Sequence, residues 1–104
     1  MPRSFTIGAA AAGAFVHADE RAVVLSDGTR AVFFEAARRR WVAETLGILL
    51  EEGRATRKQS DHVFGGFARE DGSVTLFVFV GQAVSVTLTI SGEDARALQA
   101  DLTT

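Results

Sequence analysis

The sequence predicts an α+β fold, in which an antiparallel sheet of about five to six strands is packed by one long central helix, with a short C-terminal helix. Three features support this class: the apolar run Ser73–Ile90, the Asp27-Gly28 turn between apolar stretches, and a helical pattern from Glu35 to Glu52. The 104 residues are 47% hydrophobic and can form one core, so we predict a single domain, 1–104. The sheet would combine an N-terminal hairpin with a C-terminal three-strand meander.

The run Ser73–Ile90 contains two different strand patterns. Residues Val84–Ile90 alternate strictly between aliphatic and hydroxyl side chains, which is typical of a strand with one buried and one polar face. Residues Val74–Val80 have Thr75 as their only polar side chain. We therefore expect this second strand in the middle of the sheet, covered on both faces.

The loop between these two strands decides which side chains share a face. A two-residue loop beginning at Gly81 places Phe79 opposite Val84 and Phe77 opposite Val86. A three-residue loop shifts the pairing and moves both Phe side chains to the Ser/Thr face. We prefer the two-residue loop, because it distributes the apolar area over both faces of a central strand.

A first strand is predicted at Ser4–Ile7, and a second one ends at Phe15 and Val16. Two more strands lie on either side of the Asp27-Gly28 turn, where Val23 would face Val32. The alanine-rich run before Val16 contains no leucine and is too weak for a signal peptide, so we expect a cytoplasmic protein without a membrane segment.

The long helix is predicted to end at Glu52, with Gly53 as a left-handed C-cap. Its apolar stripe contains Val42, Leu46, Leu49 and Leu50, widened by Trp41, Thr45 and Ile48. The triplet Arg38-Arg39-Arg40 lies near the N-terminal end, where positive charge opposes the helix macrodipole. This arrangement indicates selection for something other than helix stability.

The segment after the helix is polar from Arg54 to His62 and is predicted to be a connector or an edge strand. A strand from His62 to Glu70 follows, and a two-residue Asp71-Gly72 turn would place Gly66 opposite Phe77. Ser91 is a predicted N-cap for a second helix with a narrow apolar stripe. The stripe consists of Ala95, Leu98 and Leu102.

The predicted element order is β, β, β, α, β, β, β, α, without an internal repeat. The core is expected to contain the apolar side chains of the hairpin and the long helix. These are Phe77, Phe79, Val86, Leu88, Trp41, Leu46 and Leu49.

Composition and spacing give little indication of catalysis. Cysteine is absent, and the two histidines, His17 and His62, have no metal-ligand spacing. Ser60-Asp61-His62 contains the residue types of a hydrolase triad, but adjacent residues cannot generally align three side chains. We therefore predict no enzyme activity, no catalytic residues, no metal and no cofactor.

Two functions remain. The first is a non-catalytic protein-binding module, either a homodimer or a small inhibitor or escort protein of bacterial or phage origin. We predict it because the two helices leave part of the sheet surface uncovered. The predicted partner-binding residues are Val74, Leu76, Val78, Val80 and Phe67.

The alternative is a nucleic-acid-binding domain that uses a local basic patch, with Trp41 or an exposed Phe stacking on bases. The formal net charge of -2 provides no global attraction for phosphates, so the patch would have to act locally. Its predicted residues are Arg38, Arg39, Arg40, Arg54, Arg57 and Lys58.

Overall fold

The chain forms two antiparallel four-stranded sheets and two helices, as seen in a computed structural model that describes residues 4–82 and 84–103. The N-terminal sheet has the order β1-β2-β3-β4 and contains β1 (Ser4–Gly8), β2 (Phe15–Asp19), β3 (Ala22–Ser26) and β4 (Ala31–Glu35). The C-terminal sheet has the order β5-β6-β7-β8 and contains β5 (Arg54–Gln59), β6 (His62–Ala68), β7 (Val74–Val80) and β8 (Val84–Ile90). A 3-10 turn (Ala36–Arg38) leads into α1 (Arg39–Glu52), and α2 (Gly92–Leu102) ends the fold.

The α+β class is confirmed, but the predicted single sheet of five to six strands is wrong. The same succession, four strands followed by a helix, occurs twice along the chain. The mostly polar segment 54–59 forms β5, which pairs with β6 and is an edge strand in the described sheet. Charged side chains are common on edge strands. No helix among the described residues is long and apolar enough to cross a membrane.

The core lies between the inner faces of the two sheets and includes one side of each helix. Three buried aromatic rings connect the layers: Phe34 of β4, Trp41 of α1 and Phe64 of β6. The Phe34 ring centroid lies 6.0 Å from that of Trp41 and 5.8 Å from that of Phe64, both with edge-on geometry. Such contacts add to the free energy gained by burying the rings, so this cluster stabilises the packing of both sheets on α1.

The preferred register of the last hairpin is wrong, and the three-residue alternative is the one observed. Val80 pairs with Val84, Phe79 with Ser85, and Phe77 with Thr87. In this register the inner face is purely aliphatic, because Leu76 pairs with Leu88 and Val78 with Val86, and all four are buried. The shift moves Phe77 and Phe79 to the outer face, since neighbouring residues of a strand point to opposite sides.

The predicted core is therefore correct only in part. Phe77 is half-buried, and Phe79 is 42% exposed. The other predicted members are buried as expected: Val86, Leu88, Trp41, Leu46 and Leu49.

Two other predicted turn lengths also differ from the structure. The β6–β7 loop has Arg69 paired with Ser73, so Phe77 lies opposite Gly65 and not opposite Gly66. The β3–β4 loop is longer by two residues, so Val23 faces Phe34. The two-residue shift leaves the inner and outer faces of β3 and β4 unchanged, whereas the one-residue shift between β6 and β7 changes which side chains of β6 share a face with Phe77.

The helix ends follow their local sequence signals. Gly53 has a φ of +88°, and its N–H donates to the Leu49 carbonyl at 2.8 Å, which confirms the predicted C-cap. The Ser91 hydroxyl accepts the Asp94 N–H at 3.0 Å and caps α2 as predicted. The long helix begins later than expected, at Arg39, because the preceding three residues form the 3-10 turn.

Leu88→Ala tests the observed inner face of β8. We expect it to lower the free energy of unfolding by about 2–5 kcal/mol, because Leu88 is 4% exposed and the mutation leaves a cavity. Thr87→Ala is the matched control, since the adjacent side chain is exposed and should change stability by less than about 0.5 kcal/mol. Urea unfolding measures both values, and equal losses would contradict the assignment of the inner face of β8.

Candidate functional site

The outer face of the C-terminal sheet faces away from the core and combines three kinds of side chain: aromatic, cationic and hydroxyl-bearing. We call it the aromatic face. Its residues are Arg54, Thr56 and Lys58 of β5, Val63, Gly65 and Phe67 of β6, Thr75, Phe77 and Phe79 of β7, and Ser85, Thr87 and Thr89 of β8. No carboxylate is among them.

Three phenylalanines form the apolar part of the aromatic face. Phe67 is 44% exposed and Phe79 is 42% exposed, and Phe77 is half-buried between them. The rings of Phe77 and Phe79 have centroids 5.6 Å apart and are tilted by 45°. Large apolar side chains with this exposure on one face are the surface expected of a binding site.

Gly65 forms the floor beneath Phe77. A Cβ atom at Gly65 would lie 3.0 Å from the Phe77 Cζ atom and would clash with the Ala55 carbonyl oxygen of the neighbouring strand. The absence of a side chain therefore lets the Phe77 ring lie against the sheet, and the ring shields the glycine backbone from water.

The cations of the aromatic face are on the edge strand β5. Arg54 lies in the same cross-strand row as Phe67, and Lys58 lies in the row of Phe79. Both are exposed, and within the described residues neither side chain makes a hydrogen bond or a salt bridge. These two positive charges are thus available to a ligand.

Hydroxyl groups occupy the opposite side of the aromatic face, on β8. Ser85 and Thr87 are exposed, directly across from Phe79 and Phe77. The Thr75 and Thr89 hydroxyls lie 3.0 Å apart and hydrogen-bond to each other. Ser85 and Thr87 can therefore donate to or accept from a ligand that covers the rings.

The outer face of the N-terminal sheet is different in charge. Phe33 is 59% exposed there, but Asp19 and Glu35 lie on the same face. The Thr6 hydroxyl is 2.7 Å from His17 Nδ1, and His17 Nε2 is 3.6 Å from an Asp19 oxygen. Backbone N–H groups of Arg21 and Ala22 lower the pKa of Asp19, so its carboxylate stays ionised near neutral pH. This face therefore disfavours anions.

The predicted arginine triplet does not form one basic patch. Arg38 Nη1 donates to the backbone and side-chain oxygens of Gln59 at 3.1 and 3.0 Å. Arg39 donates to the Asp19 carbonyl at 2.6 Å and forms a 3.3 Å salt bridge with Asp101. Both arginines thus connect separate elements of the fold, whereas Arg40 is exposed on α1.

The other predicted basic residues are divided between two sides of β5. Arg54 and Lys58 belong to the aromatic face, but Arg57 is half-buried and points the other way, in the row of Phe64. Trp41 is only 6% exposed, so it cannot stack on a base without unfolding of the core.

The predicted partner-binding residues of β7 lie on the inner face of the sheet. Val74, Leu76 and Val78 are buried, and Val80 is half-buried, because the observed register turns them towards the core. Among the predicted partner-binding residues, only Phe67 lies on the exposed side. Phe77 and Phe79, which were predicted to lie in the core, are on this exposed side instead, as the three-residue loop predicts.

No cluster that resembles a metal site is found among residues 4–82 and 84–103. In the Ser60-Asp61-His62 segment, His62 Nδ1 lies 2.9 Å from an Asp61 oxygen, and the His62 ring packs 5.6 Å from Phe34. Ser60 has a positive φ of 58° in the β5–β6 turn. These three residues form a turn and its contact with the core.

Comparison with known proteins identifies the fold. No model of a known protein family matches the chain, and no curated protein matches it significantly. The chain is similar to the crystal structures of MRP1/MRP2 of Trypanosoma bruciei, with a TM-score of 0.60 and 12% identity over 99% of this chain and 83% of that chain. It is also similar to a guide-RNA-binding protein complex bound to a gRNA, with a TM-score of 0.58 and 11% identity over 99% of this chain and 88% of that chain. At these identities the similarity shows a shared fold.

Gly65→Ala tests the floor of the aromatic face. We expect the free energy of unfolding to fall by about 1–3 kcal/mol, because the added methyl group collides with the backbone of β5 and displaces Phe77. Gly8→Ala is the matched control, since a Cβ at Gly8 meets nothing within 4 Å. Chemical unfolding of both variants provides the measurement, and a Gly65→Ala protein as stable as the control would contradict the close packing.

Proposed function

We propose that the chain is a non-catalytic domain that binds single-stranded nucleic acid, with RNA as its ligand, on the aromatic face. The observation that carries this proposal is the exposure of Phe67 and Phe79 on a face that also presents no carboxylate and two cations without a hydrogen bond or salt bridge among the described residues. Aromatic rings that stack on bases beside cations that bind phosphates are the usual means of binding single strands.

The spacing of the groups supports this assignment. The two cations lie on β5, the rings on β6 and β7, and the free hydroxyls on β8. Adjacent strands are about 4.8 Å apart, so a nucleotide whose base covers a ring of β7 has hydroxyl groups within reach of its sugar. The phosphates can then lie towards Arg54 and Lys58 or along the rim of the face.

The shape of the site favours a single strand over a duplex. In a duplex the bases are stacked on each other, and their flat surfaces are not accessible to protein rings. The similarity in fold to proteins described as guide-RNA-binding adds support for RNA.

Alanine variants of the exposed rings test the proposal. We expect Phe67→Ala and Phe79→Ala each to weaken binding of a fluorescein-labelled single-stranded RNA by about 5- to 150-fold, because each loses base stacking of about 1–3 kcal/mol. Fluorescence anisotropy measures the affinity. Phe33→Ala is the matched control, since it removes an even more exposed ring from the other sheet.

The proposal is contradicted if wild-type protein does not bind the RNA, or if Phe33→Ala weakens binding as much as the two test variants. An unlabelled duplex of the same sequence should compete poorly. Strong competition by the duplex would contradict the stacking mode.

The salt dependence tests the two cations separately from the rings. Each phosphate contact with a single strand contributes about -0.7 to the slope of log K against log salt concentration. Arg54→Ala and Lys58→Ala should therefore each make the slope less steep by about 0.7. Arg40→Ala removes an exposed arginine from α1 and should leave the slope unchanged; a change as large as that of Lys58→Ala would place the RNA on α1.

Self-association is the second candidate function, and the 59% exposure of Phe33 favours it. A second copy could cover the outer face of the N-terminal sheet and leave the aromatic face free. Sedimentation of RNA-free protein at micromolar concentration should then give twice the chain mass, and Phe33→Ser should return it to the monomer. A monomeric wild-type protein would exclude this candidate.

A further inference from the structure

One arginine near the aromatic face is absent from the predicted basic patch. Arg30 lies in the loop between β3 and β4 of the N-terminal sheet, yet it lines the same groove as Phe79, Gln82 and Ser85 of the C-terminal sheet. The groove has a volume of about 230 Å³ and also includes Val84. It therefore continues the aromatic face beyond the edge strand β8.

Hydrogen bonds with Asp27 fix the backbone of Arg30. The Asp27 carboxylate accepts the N–H groups of Thr29 and Arg30, both at 2.8 Å, and the Asp27 N–H donates to the Arg30 carbonyl at 3.1 Å. The backbone N–H groups of Arg30 and Thr29 lower the pKa of Asp27, so its carboxylate is ionised at neutral pH and can accept both hydrogen bonds.

The guanidinium group of Arg30 is available to a ligand. Arg30 is exposed, and among the described residues its side chain makes no hydrogen bond and no ion pair within 4.0 Å. The nearest described carboxylate in sequence, that of Asp27, accepts hydrogen bonds from backbone N–H groups, and the positive charge of Arg30 further lowers the pKa of Asp27. In contrast, Arg38 and Arg39 use their guanidinium groups within the fold.

The size and chemistry of the groove fit one nucleotide. Sites that enclose drug-sized molecules usually have volumes of about 300–1,000 Å³, so this smaller, open groove can hold a single base and leave the sugar and phosphate at its rim. The Phe79 ring offers a stacking surface, Arg30 a planar cation for a phosphate, and Ser85 and Gln82 polar groups for the sugar or the base edge.

The opposite end of the aromatic face is less suitable for a phosphate. The groove beside Phe67 is lined by Arg69 but also by Glu70 and Asp71. Asp71 is ionised, because hydrogen bonds from the Ser73 hydroxyl and backbone N–H lower its pKa. The charge distribution therefore favours the groove of Arg30 as the place where a bound nucleic-acid strand continues beyond the aromatic face.

From this arrangement we infer that the groove formed by Arg30, Phe79, Gln82 and Ser85 is a nucleotide subsite, in which the base stacks on Phe79 and the adjoining phosphate pairs with Arg30. This inference rests on the proposed function of the aromatic face. It adds that the N-terminal sheet contributes directly to binding, so that one bound strand contacts both halves of the chain.

Arg30→Ala tests the subsite with a fluorescein-labelled single-stranded oligouridylate of about eight nucleotides, which lies within the usual site size of such domains. We expect Arg30→Ala to weaken binding about 5- to 10-fold and to make the salt slope less steep by about 0.7, through loss of one phosphate contact. Arg21→Ala is the matched control, because Arg21 is an exposed arginine in the β2–β3 turn at the opposite end of the same sheet. It should bind the oligouridylate within about twofold of wild type.

A double-mutant cycle distinguishes a shared nucleotide from general electrostatic attraction. If Arg30 and Phe79 hold the same nucleotide, the combined Arg30→Ala/Phe79→Ala variant should lose less affinity than the product of the two single losses. The affinity loss of the Arg30→Ala/Phe67→Ala variant should equal the product of the two single-variant losses, because Phe67 binds a different nucleotide. A cycle with Phe79 that is fully additive would overturn the subsite.

The outcomes separate the two proposals. If wild-type protein binds the oligouridylate and depends on Phe67 and Phe79, but Arg30→Ala behaves like Arg21→Ala, only the subsite is wrong. If wild-type protein does not bind, or binds independently of Phe67 and Phe79, the aromatic face is not the interface and the subsite is wrong as well. Thermal unfolding of Arg30→Ala should match wild type, since the side chain is exposed and makes no hydrogen bond to any other described residue.

Discussion

The pairing of β7 with β8 is the constraint on which the rest of the structure depends. Val80 pairs with Val84, and this single choice places Leu76, Val78, Val86 and Leu88 together inside the protein. A shift by one residue would turn the whole of one strand over. The aliphatic inner face and the aromatic outer face thus have one common cause.

The energetic reason for this register is the composition of the inner face. The core space between the two sheets is filled by branched aliphatic side chains, together with the rings of Phe34 and Phe64. Two more phenylalanines at positions 77 and 79 would have to replace smaller partners opposite β8, and overpacking of a core costs free energy. Phe77 instead lies over Gly65, where the missing Cβ leaves room for its ring.

Local signals in the sequence were sufficient for some elements and insufficient for others. Gly53 and Ser91 identify their helix ends correctly, because capping depends on residues within one turn. The faces of β7 could not be read in the same way, since nearly every residue of that strand is apolar and alternation carries no information. The polar segment of β5 could be predicted only as a connector or an edge strand, because a strand that hydrogen-bonds to a single neighbouring strand lacks a distinctive apolar pattern.

The arginines illustrate why the candidate site could be predicted only in part. Arg38, Arg39, Arg54 and Lys58 look equivalent in sequence, but the partners of the first two, Gln59 and Asp101, are 21 and 62 residues away. Only the tertiary structure shows that these two arginines stabilise the fold, whereas the side chains of Arg54 and Lys58 make no hydrogen bond or salt bridge within residues 4–82 and 84–103. The same holds for Arg30, which belongs to one sheet and lies beside a ring of the other.

Ultraviolet cross-linking of the protein to a single-stranded RNA, followed by mass spectrometry of the linked peptides, tests the central claim most directly. It maps bound bases onto individual side chains without any mutation. We expect cross-links in the peptides that contain Phe67, Phe77 and Phe79. Cross-links concentrated at Phe33, or in the peptides of α1, would show that the aromatic face is not where nucleic acid binds.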